Sequence, residues 1–286
     1  METIDSVLKK TIAFLEEKGF DEARTTAELL LAHALSCRRI DLYLRFDKPL
    51  DDMELARYRD FLRRRLKHEP AQYIMGSTGF YALDFKITPA ALIPRPDTEH
   101  LVAAAIEEAG KLDAENGLRA WDIGTGSGII PIAVAKNLEP ISFLATDISS
   151  DALELAAENA ALHACEERIE FQRHDILQEE PPGAQFDLIV SNPPYIPESE
   201  YRELQPEITE YEPKIAATDG ADGLTFFRRI AAVCPARLTG EGRILVEIMA
   251  DQGEDVRKIF KDAGLRVTRT VRDYGGIERV IVAKLR

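Results

Sequence analysis

At 286 residues the chain has room for one large α/β domain and a smaller one, each with its own core. Residues 1–70 carry 14 basic and 14 acidic side chains, so the net charge of −14 falls wholly on residues 71–286, with 22 basic against 36 acidic groups, a poor surface for a long nucleic-acid duplex. Three scattered cysteines (Cys37, Cys165, Cys234) fit reduced structural thiols and no metal site, and no membrane-length apolar run or signal-peptide layout occurs; a soluble, cytoplasmic, monomeric protein with neither nucleic-acid nor membrane partner is expected.

The first seventy residues read as helices. Thr3 can cap a helix carrying Val7, Leu8, Thr11, Ile12, Phe14 and Leu15 and ending at Gly19. Asp21 is placed to cap a second, with Ala27, Leu30, Leu31, Ala34 and Leu35 at helical spacing. A third begins near Asp51, aligns Leu55, Tyr58, Leu62 and Leu66, and stops before Pro70. Its basic run (Arg57, Arg59, Arg63, Arg64, Arg65, Lys67) reads first as a solvated face and second as a docking surface. Residues 71–96 form a linker: Gly76 and Gly79 with alternating Phe80, Leu83, Phe85 and Ile87 predict a hairpin, stiffened by Pro89, Pro94 and Pro96. Pro96 can open a helix over residues 97–108, with Glu99 complementing its positive end.

From Arg119 onward, short apolar runs alternate with helical stretches, the pattern of a parallel sheet covered on both faces. Strands are expected at 120–123, 141–146, 168–173, 186–190 and 243–247. Residues 266–271 and 279–283, joined through Asp273-Tyr274-Gly275-Gly276, read as a terminal antiparallel hairpin. Trp121, in the first of these strands, reads as core.

Two stretches carry chemistry. Asp122-Ile123-Gly124-Thr125-Gly126-Ser127-Gly128 follows a strand and opens a helix, so its glycines allow a tight turn and close approach of a ligand to backbone N–H groups. The third glycine expected of a pyrophosphate site is missing. Asp147 ends the next strand 19 residues after Gly128, placed for ribose hydroxyls, and Asp175-Ile176 ends the third, placed for an adenine amine and ring. An acid at position 122 would repel a pyrophosphate and attract an ammonium group, which favours S-adenosylmethionine over NAD. The second stretch is Asn192-Pro193-Pro194-Tyr195, directly after the apolar run 186–190. Two prolines end the strand, and strand carboxyl ends are where ligands sit in open α/β sheets. The Asn192 side-chain oxygen and the Pro193 carbonyl can accept both N–H bonds of a planar NH2 group, with Tyr195 as its flat wall. His174 adjoins Asp175 but has no catalytic partner in view and reads as a packing residue.

The glycine turn, Asp147, Asp175 and N-P-P-Y, in that order, resemble a class I S-adenosylmethionine-dependent methyltransferase of the amino-methylating kind. Adding Leu92-Ile93-Pro94-Arg95-Pro96-Asp97-Thr98-Glu99, Pro70-Ala71-Gln72-Tyr73-Ile74-Met75-Gly76 and Arg272-Asp273-Tyr274-Gly275, nearly the whole chain is similar to the HemK/PrmC family, the N5-glutamine methyltransferases of peptide chain release factors. That resemblance implies a helical, substrate-docking domain over 1–70, a hairpin linker over 71–96, and a Rossmann-like methyltransferase domain over 97–286 with a seven-stranded, mostly parallel sheet. It implies that Gly124, Thr125, Gly126, Ser127, Gly128, Asp147, Ile176 and Asn192 contact the cofactor, beside Asp122 and Asp175, and that Asn192, Pro193, Pro194 and Tyr195 hold the glutamine of a Gly-Gly-Gln loop. Two positions depart from the family pattern: Met249, two residues after Glu247, and Ala82 both stand where glycine is usual. Rival readings are an adenine-N6 nucleic-acid methyltransferase with a flipped-out base, an enzyme acting on a ribosomal-protein glutamine, and a non-catalytic adaptor on the same scaffold.

Overall fold

A computed structural model describes residues 2–113, 115 and 117–286, in two compact units divided between Gly76 and Ser77. The helical unit runs through helices at Ile4–Glu17, Ala23–Ala34, Arg39–Leu44, Asp52–Arg65 and Ala71–Met75. Thr3 and Asp51 cap the first and fourth as expected, accepting from Ser6 N and Glu54 N. Asp21 does not cap the second, because the chain turns once more and Glu22 becomes the residue before the helix. The helices at 39–44 and 71–75 are too short to show a period in sequence. Leu15, Ala27, Leu30, Leu31 and Tyr58 are fully buried, and the Tyr58 hydroxyl donates to the Ala27 carbonyl at 3.2 Å. Much of the basic run is paired with acids of its own unit: Arg64 with Glu69, Arg63 with Asp60 and Arg59 with Glu2.

The boundary differs from the one expected. Residues 71–75 pack into the helical unit through Ala71 and Ile74, whereas the hairpin belongs to the second unit because Phe80 and Phe85 enter that unit's core. Its strands are β1 (Ser77–Phe80) and β2 (Leu83–Lys86), an antiparallel pair. Then follow β3 (Leu118–Ile123), β4 (Ile141–Asp147), β5 (Ile169–Arg173), β6 (Phe186–Ser191), β7 (Leu238–Glu247), β8 (Leu265–Arg272) and β9 (Glu278–Leu285). These seven form one sheet in the order β5-β4-β3-β6-β7-β9-β8, parallel from β5 to β7 with β9 antiparallel to both β7 and β8.

Alternation along β3 divides the core. Leu118 and Ala120 face one apolar layer, and Trp121 and Ile123 face the other. Trp121 is core, as read, with its ring nitrogen donating to Thr146 Oγ1 at 2.9 Å. β7 starts five residues earlier than the sequence indicates: its first half contains Gly240 and Gly242, which a shift in register between the Phe186–Leu238 and Leu188–Arg243 pairs accommodates. Chain direction reverses between β3, from which the chain moves out to β4 and β5, and β6, from which it moves to β7. Ligands bind at this switch point in open α/β sheets.

Candidate active site

The carboxyl ends of β3 to β6 open onto a cavity of about 270 Å³. Gly124 to Ser127 form one wall, Asp147 and Ile148 a second, Asp175 and Ile176 a third, and Asn192 with Pro193 and Pro194 a fourth. The turn has φ of +75° at Gly124, +55° at Gly126 and +80° at Gly128, a left-handed path that side chains resist. At Gly128 a Cβ would also lie 3.1 Å from that of Ala156, so the helix Ile129–Asn137 starts against the helix Ser150–Leu162 with no space between them. Gly128 shapes the turn from behind and does not line the cavity.

Asp147 ties the turn to β4: its Oδ2 accepts from Gly126 N and its Oδ1 from Ser149 N, both at 2.9 Å. Burial raises its pKa, and these backbone donors oppose the rise. Asp175 holds its own turn, accepting from Leu177 N at 2.9 Å, and Ile176 is buried against the second core layer. His174 is a packing residue that also touches the cavity: its ring stands edge-on to Trp121, and its Nε2 meets the Glu180 carbonyl at 3.0 Å.

Asp122 departs from expectation. It is fully buried, lies behind the turn and does not line the cavity. Neither carboxylate oxygen has a hydrogen-bond partner, and the buried Thr125 hydroxyl on the cavity wall has none either. Burial pushes the Asp122 carboxyl up to about 7; the Asp147 charge adds to this, and the nearby Thr125 hydroxyl opposes it.

At the fourth wall, β6 ends with the Ser191 hydroxyl donating to the Ile123 carbonyl at 2.8 Å, which fixes where the next residue leaves the sheet. Asn192 donates from Nδ2 to Thr98 Oγ1 at 3.1 Å, leaving Oδ1 as the acceptor the amide has to offer. Tyr195 is not the flat wall expected. Its half-buried ring packs on the second core layer outside the cavity lining, and its hydroxyl donates to Glu247 Oε1 at 3.0 Å. The reason is topological: Ser191 pairs with Val246 across β6 and β7, so the loop leaving β6 runs past the end of β7, where Glu247 offers a buried acceptor.

Two families of relatives match this arrangement in sequence. Residues 6–76 match the PrmC N-terminal domain, and residues 108–212 match the methyltransferase small domain. A release factor glutamine methyltransferase of Geobacter sulfurreducens is 43% identical over 284 residues, covering 99% of this chain and 97% of its own. Enzymes of the same description from Chlorobaculum tepidum and Koribacter versatilis are 40% and 39% identical, each over 282 residues, covering 97% and 99% of this chain and 95% and 98% of their own. The chain belongs to the HemK/PrmC release factor glutamine methyltransferase family. Solved structures share the fold: the hMettl16 catalytic domain in complex with the MAT2A 3'UTR hairpin 6 (TM-score 0.58, 18% identity, covering 84% of this chain and 94% of that one) and a Pyrococcus furiosus methyltransferase (TM-score 0.51, 17% identity, 72% and 89%).

Several residues shape this family member's site without a role legible in sequence, although Ile93, Arg95 and Thr98 lie inside the segment 92–99 that carries the resemblance. Glu212, buried, accepts from Ile93 N at 3.1 Å and pairs with Arg95 at 2.6 Å, pinning residues 93–95 along the cavity rim. Thr98 and Glu247 stand behind Asn192. Met249 adopts no strained backbone; its N–H donates to Gln252 Oε1, while Gln252 Nε2 donates to the carbonyls of Tyr195 and Gly223. That glutamine sets the loop shape which the missing glycine left open.

Proposed function

We propose that this protein transfers a methyl group from S-adenosylmethionine to the side-chain N5 of the glutamine in the Gly-Gly-Gln loop of peptide chain release factors, in the cytoplasm and as a monomer. The observation that carries the reading is the Asn192 amide, held by Thr98 at the carboxyl end of β6 so that its oxygen is available to accept. The residues present fit the cofactor. Asp147 stands fixed at a strand end for the ribose, Ile176 and Ile148 offer apolar faces for the base, and the orphaned Thr125 hydroxyl on the cavity wall offers a polar group to the amino-acid end. When bound, S-adenosylmethionine supplies a methyl activated on a sulfonium sulfur.

An amide nitrogen is a weak nucleophile because its lone pair is delocalised into the carbonyl. The chain's contribution is therefore position. Asn192 Oδ1 and the Pro193 carbonyl accept the two N–H bonds of the substrate amide, which turns the nitrogen's out-of-plane face into the cavity. The same two acceptors favour the positive charge that grows on that nitrogen. The product nitrogen then sheds its extra proton to water, since a protonated amide nitrogen is strongly acidic, and no side-chain base is needed. Tyr195 supports this from outside the cavity, anchoring the Asn192–Tyr195 loop to Glu247.

Mass spectrometry of a release factor incubated with the protein and labelled S-adenosylmethionine should show one methyl on the loop glutamine. Asn192→Ala should lower turnover by roughly a hundredfold while cofactor affinity stays within about tenfold. Label on the adenine of an oligonucleotide, with none on the glutamine, would replace this reading with the nucleic-acid one.

A further inference from the structure

One guanidinium stands at the cavity wall. Among the described residues of the lining, Arg95 is the one Lys or Arg side chain, and two hydrogen bonds tie it to the amide of Asn192. Its carbonyl accepts from Thr98 N at 3.1 Å, closing the turn Pro96–Thr98, and Thr98 Oγ1 accepts from Asn192 Nδ2 at 3.1 Å. When Asn192 holds a glutamine amide, the main chain that bears the glutamine lies a side chain's length away, toward the rim. Arg95 is the charged group there.

The guanidinium is fixed from two directions. Its own backbone sits in the turn just described, and its Nη2 donates at 2.6 Å to Glu212, a carboxylate 2% exposed and 117 residues further along the chain, which also accepts from Ile93 N at 3.1 Å. An arginine has five N–H donors in a planar fork. Glu212 takes one through Nη2, and no other hydrogen bond of this guanidinium occurs among the described residues. The side chain is 35% exposed, so the remaining donors are open at the rim. A donor already fixed in direction loses little freedom when a partner arrives. The segment after Glu212 brings Thr218 and Asp219 to the wall as well, but both are engaged within their own turn, accepting from the N–H groups of Gly220, Ala221, Gly223 and Thr225.

We propose that Arg95 is a substrate-binding residue that donates to main-chain carbonyl oxygens of the peptide segment preceding the target glutamine, and that this contact favours a glutamine preceded by glycines. The partner is a main-chain carbonyl for two reasons. A cation on the side-chain carbonyl of the glutamine would draw the nitrogen lone pair further into the amide and slow its attack. A phosphate would meet the Glu212 charge beside the guanidinium, in a part of the chain with an excess of acid, whereas the Arg95–Glu212 pair is neutral as a whole and suits a neutral acceptor. Glycine has no Cβ, so the main chain on the amino side of the glutamine can approach the pinned guanidinium closely. This role deepens the proposed methylation of a loop glutamine and rests on it.

The test compares a capped Gly-Gly-Gln peptide with glutaminamide, which keeps the side-chain amide and lacks the preceding residues. The variant combines Arg95→Met with Glu212→Gln, so that an amide oxygen still accepts from Ile93 N and no buried charge is left unpaired. It should raise the KM for the peptide about tenfold or more, with kcat and the Kd for S-adenosylmethionine each within about threefold, and leave kcat/KM on glutaminamide within about threefold of wild type. Equal losses on the two substrates, or an unchanged peptide KM, overturns the proposal. Should wild type be too slow on glutaminamide to measure, the peptide decides alone, and a lower kcat at unchanged KM overturns it. If the double variant does not fold, Arg95→Lys, which keeps a charge opposite Glu212 and loses the planar fork, should raise the peptide KM about threefold or more. A second arm needs no turnover: calorimetry of the peptide against protein loaded with S-adenosylhomocysteine should show binding about tenfold weaker in the variant. Peptide binding that depends on Arg95, in a protein that leaves the glutamine unmethylated, would sink the methylation reading and leave this contact standing. Methylation with a peptide KM and Kd indifferent to Arg95 would do the reverse. An adenine-containing oligonucleotide that binds in place of the peptide and weakens in the variant would assign Arg95 to a phosphate and overturn the proposal.

Discussion

Asp122 carries a carboxyl that the fold buries with no hydrogen-bond partner, and its cost is visible in how stability depends on pH. Its folded pKa of about 7 lies above the unfolded value, so between roughly pH 4 and 7 the unfolded chain has lost a proton that the folded chain still holds. Stability therefore falls as pH rises through that window, and the loss is complete above it. Glu247 is shifted the same way, to about 7, and contributes with the same sign. Asp122→Asn removes one of the raised carboxyls and leaves those of Asp147 and Glu247. The drop in unfolding free energy between pH 5 and pH 8, read from urea titrations, should shrink by about one or two kcal/mol. An unchanged slope would mean that the Asp122 carboxyl is solvated in solution. The slope is the safer readout than absolute stability, because a buried asparagine amide would itself lack partners.

Among the elements, the β1–β2 hairpin shows what one departure from the family pattern costs. Tyr81 and Ala82 join the strands with φ of +50° and +58°, a left-handed two-residue turn that suits the twist of a hairpin but that non-glycine residues resist. Glu99 supports it by accepting from Tyr81 N at 2.8 Å. Ala82→Gly relieves the strain at that position and gives back part of the gain as unfolded-state entropy, so a net stabilisation of about 0.5–1 kcal/mol is expected in urea denaturation. Because Phe80 and Phe85 are anchored in the unit's main core, the gain should appear in the global transition and not as local fraying alone. Most elements were legible in the sequence for a simple reason: the centres of the buried parallel strands are apolar, Phe143 to Ala145 in one and Leu188 to Val190 in another, and a polar residue follows at each carboxyl end. The glycine turn, Asp147, Asp175 and Asn192 could be read because each lies at or just past the carboxyl end of a strand. Thr98 and Glu247 could not, since the Thr98–Asn192 bond spans 94 residues and its existence depends on sheet order and register. Tyr195 was misread for the same reason. A tyrosine after two prolines says nothing of the buried carboxylate that the neighbouring strand brings to its hydroxyl.

At the level of the whole molecule, every residue of the cavity wall lies between positions 90 and 226, inside the unit that begins at Ser77, and both of that unit's apolar layers are built from its own residues. The unit should therefore fold and bind cofactor without residues 1–76. A ligand that binds only the folded state adds about 2.7 kcal/mol at a concentration one hundred times its Kd, and for a unit of this size that raises the melting temperature by roughly 5–10 °C. Calorimetry of a 77–286 fragment with and without S-adenosylmethionine measures this shift, and a fragment that fails to fold or shows no shift would refute it. The helical unit has an independent core around Leu30, Leu31 and Tyr58, and its charge is balanced where the rest of the chain is acidic, which suits a surface that meets a protein partner. If it docks the release factor away from the glutamine loop, the fragment should keep its rate on a short Gly-Gly-Gln peptide within a few-fold and lose about tenfold or more in kcat/KM on the intact factor. Equal losses on both substrates would instead assign residues 1–76 to the stability of the catalytic unit.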